Sequence, residues 1–174
     1  LINKILGQKV SIVSDKPQTT RTRIMGVHNN DTVQIVFIDT PGFHKPKTKL
    51  GEKMVKAVSD SIDGVDACLL VVEPEGELNP AELELLEKIK KGKNPAILAI
   101  NKIDKESANV DRVKQELMEY ELVPEDWGGS TIFCPVSAHT KEGIDNLLEM
   151  VILTAEILEL KANKKRMARG IVIE

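Results

Sequence analysis

The sequence predicts an α/β fold, in which a mainly parallel sheet has helices on both faces. From about residue 67 onward, short apolar runs alternate with longer segments that have helical spacing. Continuous apolar runs are typical of strands buried on both faces of a parallel sheet. Strands that alternate with helices in this way form βαβ units with right-handed crossovers.

Composition limits the classes of protein to which the chain can belong. Its 174 residues suit one domain with one apolar core. No apolar run approaches the roughly 18–20 residues of a membrane helix, so no membrane segment is expected. The net charge of −3 argues against a surface built throughout for nucleic acid. Cys68 and Cys134 show no CxxC spacing, which favours a reducing, cytoplasmic setting.

The first third of the chain predicts a helix end, a loop, a hairpin and a further helix. Leu1 to Leu6 have helical spacing, and Gly7 follows as a C-terminal cap. Because the helical pattern is already under way at Leu1, we expect the chain to begin partway into a longer protein. The remaining predicted elements are a loop over 14–23, strands over 24–28 and 33–38 around the turn Asn29-Asn30-Asp31, and an amphipathic helix over 50–62.

The rest of the chain predicts three buried strands and three helices. Asn79, Pro80 and Glu82 form the expected start of a helix, as N-cap, first-turn proline and capping-box acid. The predicted strands span 67–72, 96–100 and 131–136. The predicted helices contain Leu83 to Ile89, Val110 to Leu117 and Ile144 to Leu158, and a short terminal strand or exit spans 170–174.

The first candidate site is Asp39-Thr40-Pro41-Gly42, at the end of the second hairpin strand. Ligands of such sheets bind beyond the carboxyl ends of the strands. A carboxylate there can hold Mg²⁺ through water, and a glycine lets the backbone approach a terminal phosphate. The alternative is a strand-ending Asp and an ordinary Pro-Gly turn.

The second candidate site is Asn101-Lys102-Ile103-Asp104, after the 96–100 strand. A fixed carboxylate at Asp104 can accept hydrogen bonds from N1 and the exocyclic N2 of guanine, whereas adenine lacks that donor pair. The Lys102 stem can cover the base, and Asn101 can tie neighbouring loops together. The alternative is a solvated polar loop.

The third candidate site is Ser137-Ala138, where a backbone N–H can reach the base O6. Two residues are weak evidence alone, but DxxG, NKxD and SA occur in this order, each at the end of a predicted strand. This combination resembles the P-loop GTPases.

Two parts of the chain resemble different groups of these GTPases. Residues 1–105, with KPQTTR, DTPGFHKP and NKID, are similar to the G domain of the Era ribosome-assembly GTPases. Residues 109–174, with DRVKQELMEYELVPEDWGG, PVSAHTKEGID and LELKANKKRMARGIVIE, are similar to the G domain of bacterial translation initiation factor two. A natural or designed chimera and a mis-assembled reading frame remain open as explanations of the join.

The resemblance implies GTP or GDP and Mg²⁺ as cofactors. It implies that Thr20, or Thr19, ligates Mg²⁺, that Asp39 holds Mg²⁺ through water, and that Gly42 senses the γ-phosphate. Phe43 stands where Ras-like enzymes place a water-orienting Gln, which implies slow hydrolysis. The resemblance further implies that guanine is held by Asn101, Lys102, Asp104, Ser137 and Ala138.

One part of the family pattern is missing. No GxxxxGKS or GxxxxGKT occurs in the sequence, although this loop supplies the phosphate-binding N–H groups and Lys. We therefore expect an incomplete G domain over 1–169, lacking its first strand and phosphate loop, with impaired nucleotide binding and no assigned catalytic residue. Residues 170–174 are then a terminal strand or an exit toward a further domain. The alternative is a non-catalytic or designed domain of GTPase descent.

Two further features are weaker candidates for functional residues: a basic stretch near the end of the sequence and the two cysteines. A basic stretch can contact ribosomal RNA or form a solvated helix end, and ribosome or RNA binding is otherwise expected of domains outside this sequence. It contains Lys161, Lys164, Lys165, Arg166 and Arg169. Cys68 and Cys134 are expected to be core residues.

Overall fold

A computed structural model describes most of the chain. The described residues are 1–13, 23–30, 32–41, 64–75, 78, 80–92 and 94–163. Their elements, in chain order, are α1 (Ile2–Ile5), β1 (Ile24–Asn29), β2 (Gln34–Asp39), β3 (Cys68–Val72), α2 (Pro80–Lys91), β4 (Ala96–Asn101), α3 (Val110–Met118), a 3₁₀ turn (Glu125–Trp127), β5 (Ile132–Val136) and α4 (Ile144–Ile157).

Three of the strands form a parallel sheet in the order β3-β4-β5. Strand β4 lies in the centre, with Ile100 opposite Val72 on one side and Pro135 on the other. Four successive residues of β4, from Ile97 to Ile100, are almost completely buried. The prediction of a buried parallel strand is confirmed here.

Helices cover both faces of this sheet, as the sequence predicts. On one face, Ala99 and Cys134 pack with Ile5 of α1 and Leu147 of α4. On the other face, Leu98 and Ile100 pack with residues of α2 and α3, among them Leu86, Val113 and Leu117. Because successive side chains of a strand point to opposite faces, β4 contributes to both apolar clusters.

The predicted hairpin forms a separate antiparallel sheet. Strands β1 and β2 pair over six residues each, with Val27 opposite Val36. Helix α1 packs against it, since a Cβ on Gly26 would lie 2.2 Å from Cδ1 of Leu6. Phe37 reaches the cluster beneath α4. Among the described strands, none pairs with the outer edge of β2 or of β3.

Several predicted boundaries and one burial pattern need correction. Asp39 and Asn101 are the last residues of their strands rather than the first residues beyond them. Thr131 forms only an isolated bridge, with Pro124, before β5 begins. Strand β3 is not buried on both faces, because Val71 is 43% exposed whereas Leu70 and Val72 on either side of it are buried.

Other predictions fall outside the described residues. These are the loop over 14–22, the helix over 50–62, the N-cap at Asn79, the basic residues beyond Lys161, and the terminal strand or exit over 170–174. The proposed division at residue 169 therefore stays a prediction.

Cys134 is a core residue, as predicted, whereas Cys68 is half-buried. Burial, and then the charge of Glu125, raises the pKa of the Cys134 thiol to about 11. None of the described helices is long and apolar enough to cross a membrane.

The core assignment predicts different costs for two leucines of α4. Leu147 is 1% exposed, whereas Leu153, on the same helix, is 43% exposed. Leu147→Ala should lower the free energy of unfolding by about 2–5 kcal/mol, because it removes buried apolar surface and leaves a cavity. Leu153→Ala is the matched control and should change it by about 0.5 kcal/mol or less. Denaturant unfolding measures both, and equal losses would contradict this packing.

Candidate functional site

The candidate site lies where the three parallel strands end together. Asn101 is opposite Val136 in the β4–β5 register, so the loops that begin at Lys102 and Ser137 leave the sheet side by side. A backbone hydrogen bond from the Ile103 N–H to the Val136 carbonyl, at 3.3 Å, joins them directly. The register thus brings together five of the predicted residues: Asn101, Lys102, Asp104, Ser137 and Ala138.

Ser137 organises the loop after β5. Its side chain is completely buried, and its Oγ donates a hydrogen bond of 2.6 Å to Oδ1 of Asp104. The same oxygen accepts hydrogen bonds from the backbone N–H groups of His139, at 3.1 Å, and Thr140, at 3.0 Å. Since a hydroxyl has one donor and two acceptor lone pairs, its hydrogen-bonding capacity is fully used.

Asp104 is held as an ionised carboxylate at the mouth of the site. The hydrogen bond from Ser137 is the largest cause that lowers its pKa, and a backbone hydrogen bond and the charges of His139 and Lys105 act in the same direction. The side chain is 26% exposed, and His139 Nδ1 lies 3.7 Å from Oδ2. With Oδ1 bound to Ser137, the carboxylate retains acceptor capacity for a ligand that presents N–H donors.

Asn101 connects the loops after β4 and β5. Its Oδ1 accepts a hydrogen bond of 3.1 Å from the Ala138 N–H. The Ala138 N–H is also a predicted donor to the base O6. A bound base therefore has to share this N–H with Asn101 or displace Asn101. The role of Ala138 as a base ligand stays a prediction.

Lys102 has an unusual backbone. Its φ is +79°, a left-handed value that is uncommon for residues other than glycine. Its ammonium forms an ion pair with the carboxylate of Glu73, the first residue after β3. The sequence interpretation missed Glu73, although the rule that directed attention to the ends of β4 and β5 applies equally to β3.

Two more residues of the loop after β3, Glu75 and Pro74, form hydrogen bonds with the segment that follows β4. Glu75 accepts a hydrogen bond of 2.9 Å from Lys105 Nζ and another from the Ser107 hydroxyl. The hydroxyl first, and then Lys105, lowers the pKa of Glu75. Between the two acids, the carbonyl of the buried Pro74 accepts from the Asn109 N–H at 3.1 Å.

Asp39 has a partner that the sequence interpretation also missed. The hydroxyl of Ser11, which is 6% exposed, donates to Asp39 Oδ2 at 2.7 Å. Asn3 fixes this segment, because its Oδ1 accepts from the Val10 and Ser11 N–H groups. The spacing of 28 residues gives no local sequence signal for the contact.

The remaining predicted site residues, Gly42 and Thr20 with its alternative Thr19, lie outside the described residues, as does Phe43. Within the described part of the chain, no group of three or more His, Cys, Asp or Glu side chains is arranged to hold a metal ion.

Curated proteins with similar sequences are translation initiation factors. The IF-2 of Lachnoclostridium phytofermentans is 55% identical over 141 residues, which cover 81% of this chain and 12% of that protein. The IF-2 of Clostridium novyi is 50% identical over 141 residues, covering 81% of this chain and 20% of that protein. The chain thus spans a fifth or less of these relatives' length. A match of 141 residues is longer than 109–174, so the similarity to IF-2 extends into the part that resembles Era.

Solved structures with a similar fold include Era. A crystal structure of Era with MgGDPNP and nucleotides 1506–1542 of 16S ribosomal RNA is 31% identical, with a TM-score of 0.78, over 96% of this chain and 54% of that chain. Aquifex aeolicus Era bound to GDP.AlF4⁻ is 33% identical, with a TM-score of 0.75, over 88% of this chain and 51% of that chain. The GTP-binding protein EngB, at 24% identity and a TM-score of 0.66, shares the fold.

The family pattern of the 50S ribosome-binding GTPases matches residues 1–102, more than half of the chain. That stretch includes α1, the hairpin, β3, α2 and β4. The chain therefore belongs to this family of P-loop GTPases and has the fold of their G domain.

Proposed function

We propose that this chain is the guanine-recognising part of a GTPase of the translation and ribosome-assembly group. The hydrogen bond between Ser137 and Asp104 is the main support, because it fixes an ionised carboxylate at the shared end of three strands. Asn101 adds a second link between the same two loops. Family membership implies that the nucleotide is GTP or GDP.

Asp104 supplies the specificity in this proposal. Guanine presents N1–H and an exocyclic N2–H on one edge, and both can donate to a single carboxylate. Adenine has an unprotonated N1 at that position, which repels a carboxylate and leaves it unpaired. Leaving a charged acceptor without a donor is costly, so the same side chain attracts guanine and rejects adenine.

Of the residues expected to hold Mg²⁺, the described part of the chain includes Asp39 alone. Asp39 is an oxygen ligand of the kind that Mg²⁺ prefers, and Ser11 orients its carboxylate from within the fold. We propose that Thr20, or Thr19, ligates the ion and that Asp39 holds it through water, with Gly42 beside the terminal phosphate. When bound, Mg²⁺ supplies charge neutralisation for the phosphates.

We further propose that these 174 residues alone bind nucleotide weakly and hydrolyse GTP little. No phosphate-loop motif occurs among them, and each charge-assisted hydrogen bond to a phosphate that such a loop supplies is worth roughly 1.5–3 kcal/mol. The second candidate function, a non-catalytic domain of GTPase descent, is favoured by the same observation.

The setting of the proposed function follows from the relatives. One similar structure is Era together with 16S ribosomal RNA, and the similar curated proteins are translation initiation factors. We propose that any ribosomal or RNA contact involves parts of a longer protein and that the chain acts in the cytoplasm.

Base selection is tested by calorimetric titration with GDP and with ADP, each with Mg²⁺ present. We expect weak binding of GDP and none of ADP, because only guanine can satisfy Asp104. Binding of neither nucleotide would favour the non-catalytic alternative. Micromolar or tighter GDP binding would contradict the proposed weakness and show a phosphate-binding element elsewhere in the chain.

The role of Asp104 is tested by Asp104→Asn. An amide can donate to a carbonyl at C2, so the variant should lose GDP affinity roughly tenfold or more and gain affinity for xanthosine diphosphate. The control is Glu121→Gln, which removes a surface carboxylate paired with Lys90 at 2.9 Å on the α2 side of the fold. Unchanged GDP affinity in Asp104→Asn would contradict the assignment.

A further inference from the structure

Three successive residues after β3 contact the segment that follows β4, which carries the predicted guanine ligands. Glu73 forms an ion pair with Lys102, the Pro74 carbonyl accepts from the Asn109 N–H, and Glu75 binds Lys105 and Ser107. Pro74 is completely buried, which anchors the two acids on either side of it. Strands β3 and β4 pair in parallel up to Val72 and Ile100, so Glu73 leaves the sheet next to Asn101.

Lys102 combines a constrained backbone with its ion pair to Glu73. A lysine in the left-handed region is strained, and such backbone is maintained only where its surroundings over-determine it. The carboxylate of Glu73 restricts the Lys102 side chain, and the β4–β5 register restricts the backbone that precedes it. A free lysine side chain populates many rotamers, and ordering it on ligand binding is unfavourable.

We infer that Glu73 is a positioning residue for guanine recognition, which acts by holding the Lys102 ammonium before the base arrives. The inference rests on the proposed function. With its ammonium held by Glu73, the Lys102 side chain is already ordered, and less rotamer freedom is lost on binding. Glu73 does not touch the base in this account and acts only through Lys102.

The test is a double-mutant cycle with GMP as the probe, because GMP reports on base recognition with little contribution from the phosphates. The variants are Glu73→Gln, Lys102→Met and the double variant, and Met keeps an unbranched apolar stem without the ammonium. Affinity is measured from the backbone amide shifts of Asn101, Asp104 and Ala138 at low ionic strength, where an exposed ion pair is least screened.

Glu73→Gln should weaken GMP binding about twofold to fivefold, the range expected of an exposed ion pair. In the Lys102→Met background the same change should have no effect. A purely structural role for Glu73 predicts a similar loss in both backgrounds and would overturn the inference, as would tighter binding by Glu73→Gln. Glu121→Gln, which removes the Lys90 ion pair, is the matched control and should bind GMP like the unaltered chain.

Two outcomes separate this inference from the proposed function. If the unaltered chain binds GMP and Glu73→Gln binds it equally well, the inference fails and the proposed function stands. If the unaltered chain binds neither GMP nor GDP, the proposed function fails and the inference fails with it. The Lys102 ammonium resonance gives an independent check, because slow proton exchange at Nζ should be lost in Glu73→Gln.

Discussion

The parallel pairing of β4 with β3 and β5 is the constraint on which the site depends. Four consecutive residues of β4 are buried from both faces, so its position cannot shift without exposing apolar surface. The register with β5 then fixes Asn101 opposite Val136, and the register with β3 fixes Glu73 beside it. Three polar loops meet at one edge because three apolar strands end there.

Polar contacts complete what the apolar strands begin. Ser137 holds Asp104, Asn101 holds Ala138, and Glu73 holds Lys102, so each contact joins two loops from neighbouring strands. The hairpin is attached differently, through α1 and through the Ser11–Asp39 hydrogen bond. The predicted guanine ligands therefore belong to the three-stranded sheet, and Asp39 belongs to a second sheet with which that sheet shares no described strand pairing.

The sequence predicts the elements well because their signals are local. The apolar run that becomes β4, and the turn residues between β1 and β2, suffice to locate both features. The predicted burial of β3 on both faces was wrong at Val71, because an apolar run does not show which of its side chains other elements cover. Ser11 was missed because its partner, Asp39, is 28 residues away. The pairing of Glu73 with Lys102, 29 residues away, has no local signal either, although the position of Glu73 after a predicted strand does. Chain topology, rather than local spacing, brings these pairs together.

The central claim is that this chain recognises the base of a guanine nucleotide and holds its phosphates weakly. The most direct measurement compares the dissociation constants of GDP and GMP, with Mg²⁺ present, for the unaltered chain. We expect values within about tenfold of each other, since one strong charge-assisted hydrogen bond to the β-phosphate would already separate them by more than that. GDP binding that is a thousandfold tighter, or equal binding of GMP and AMP, would contradict it.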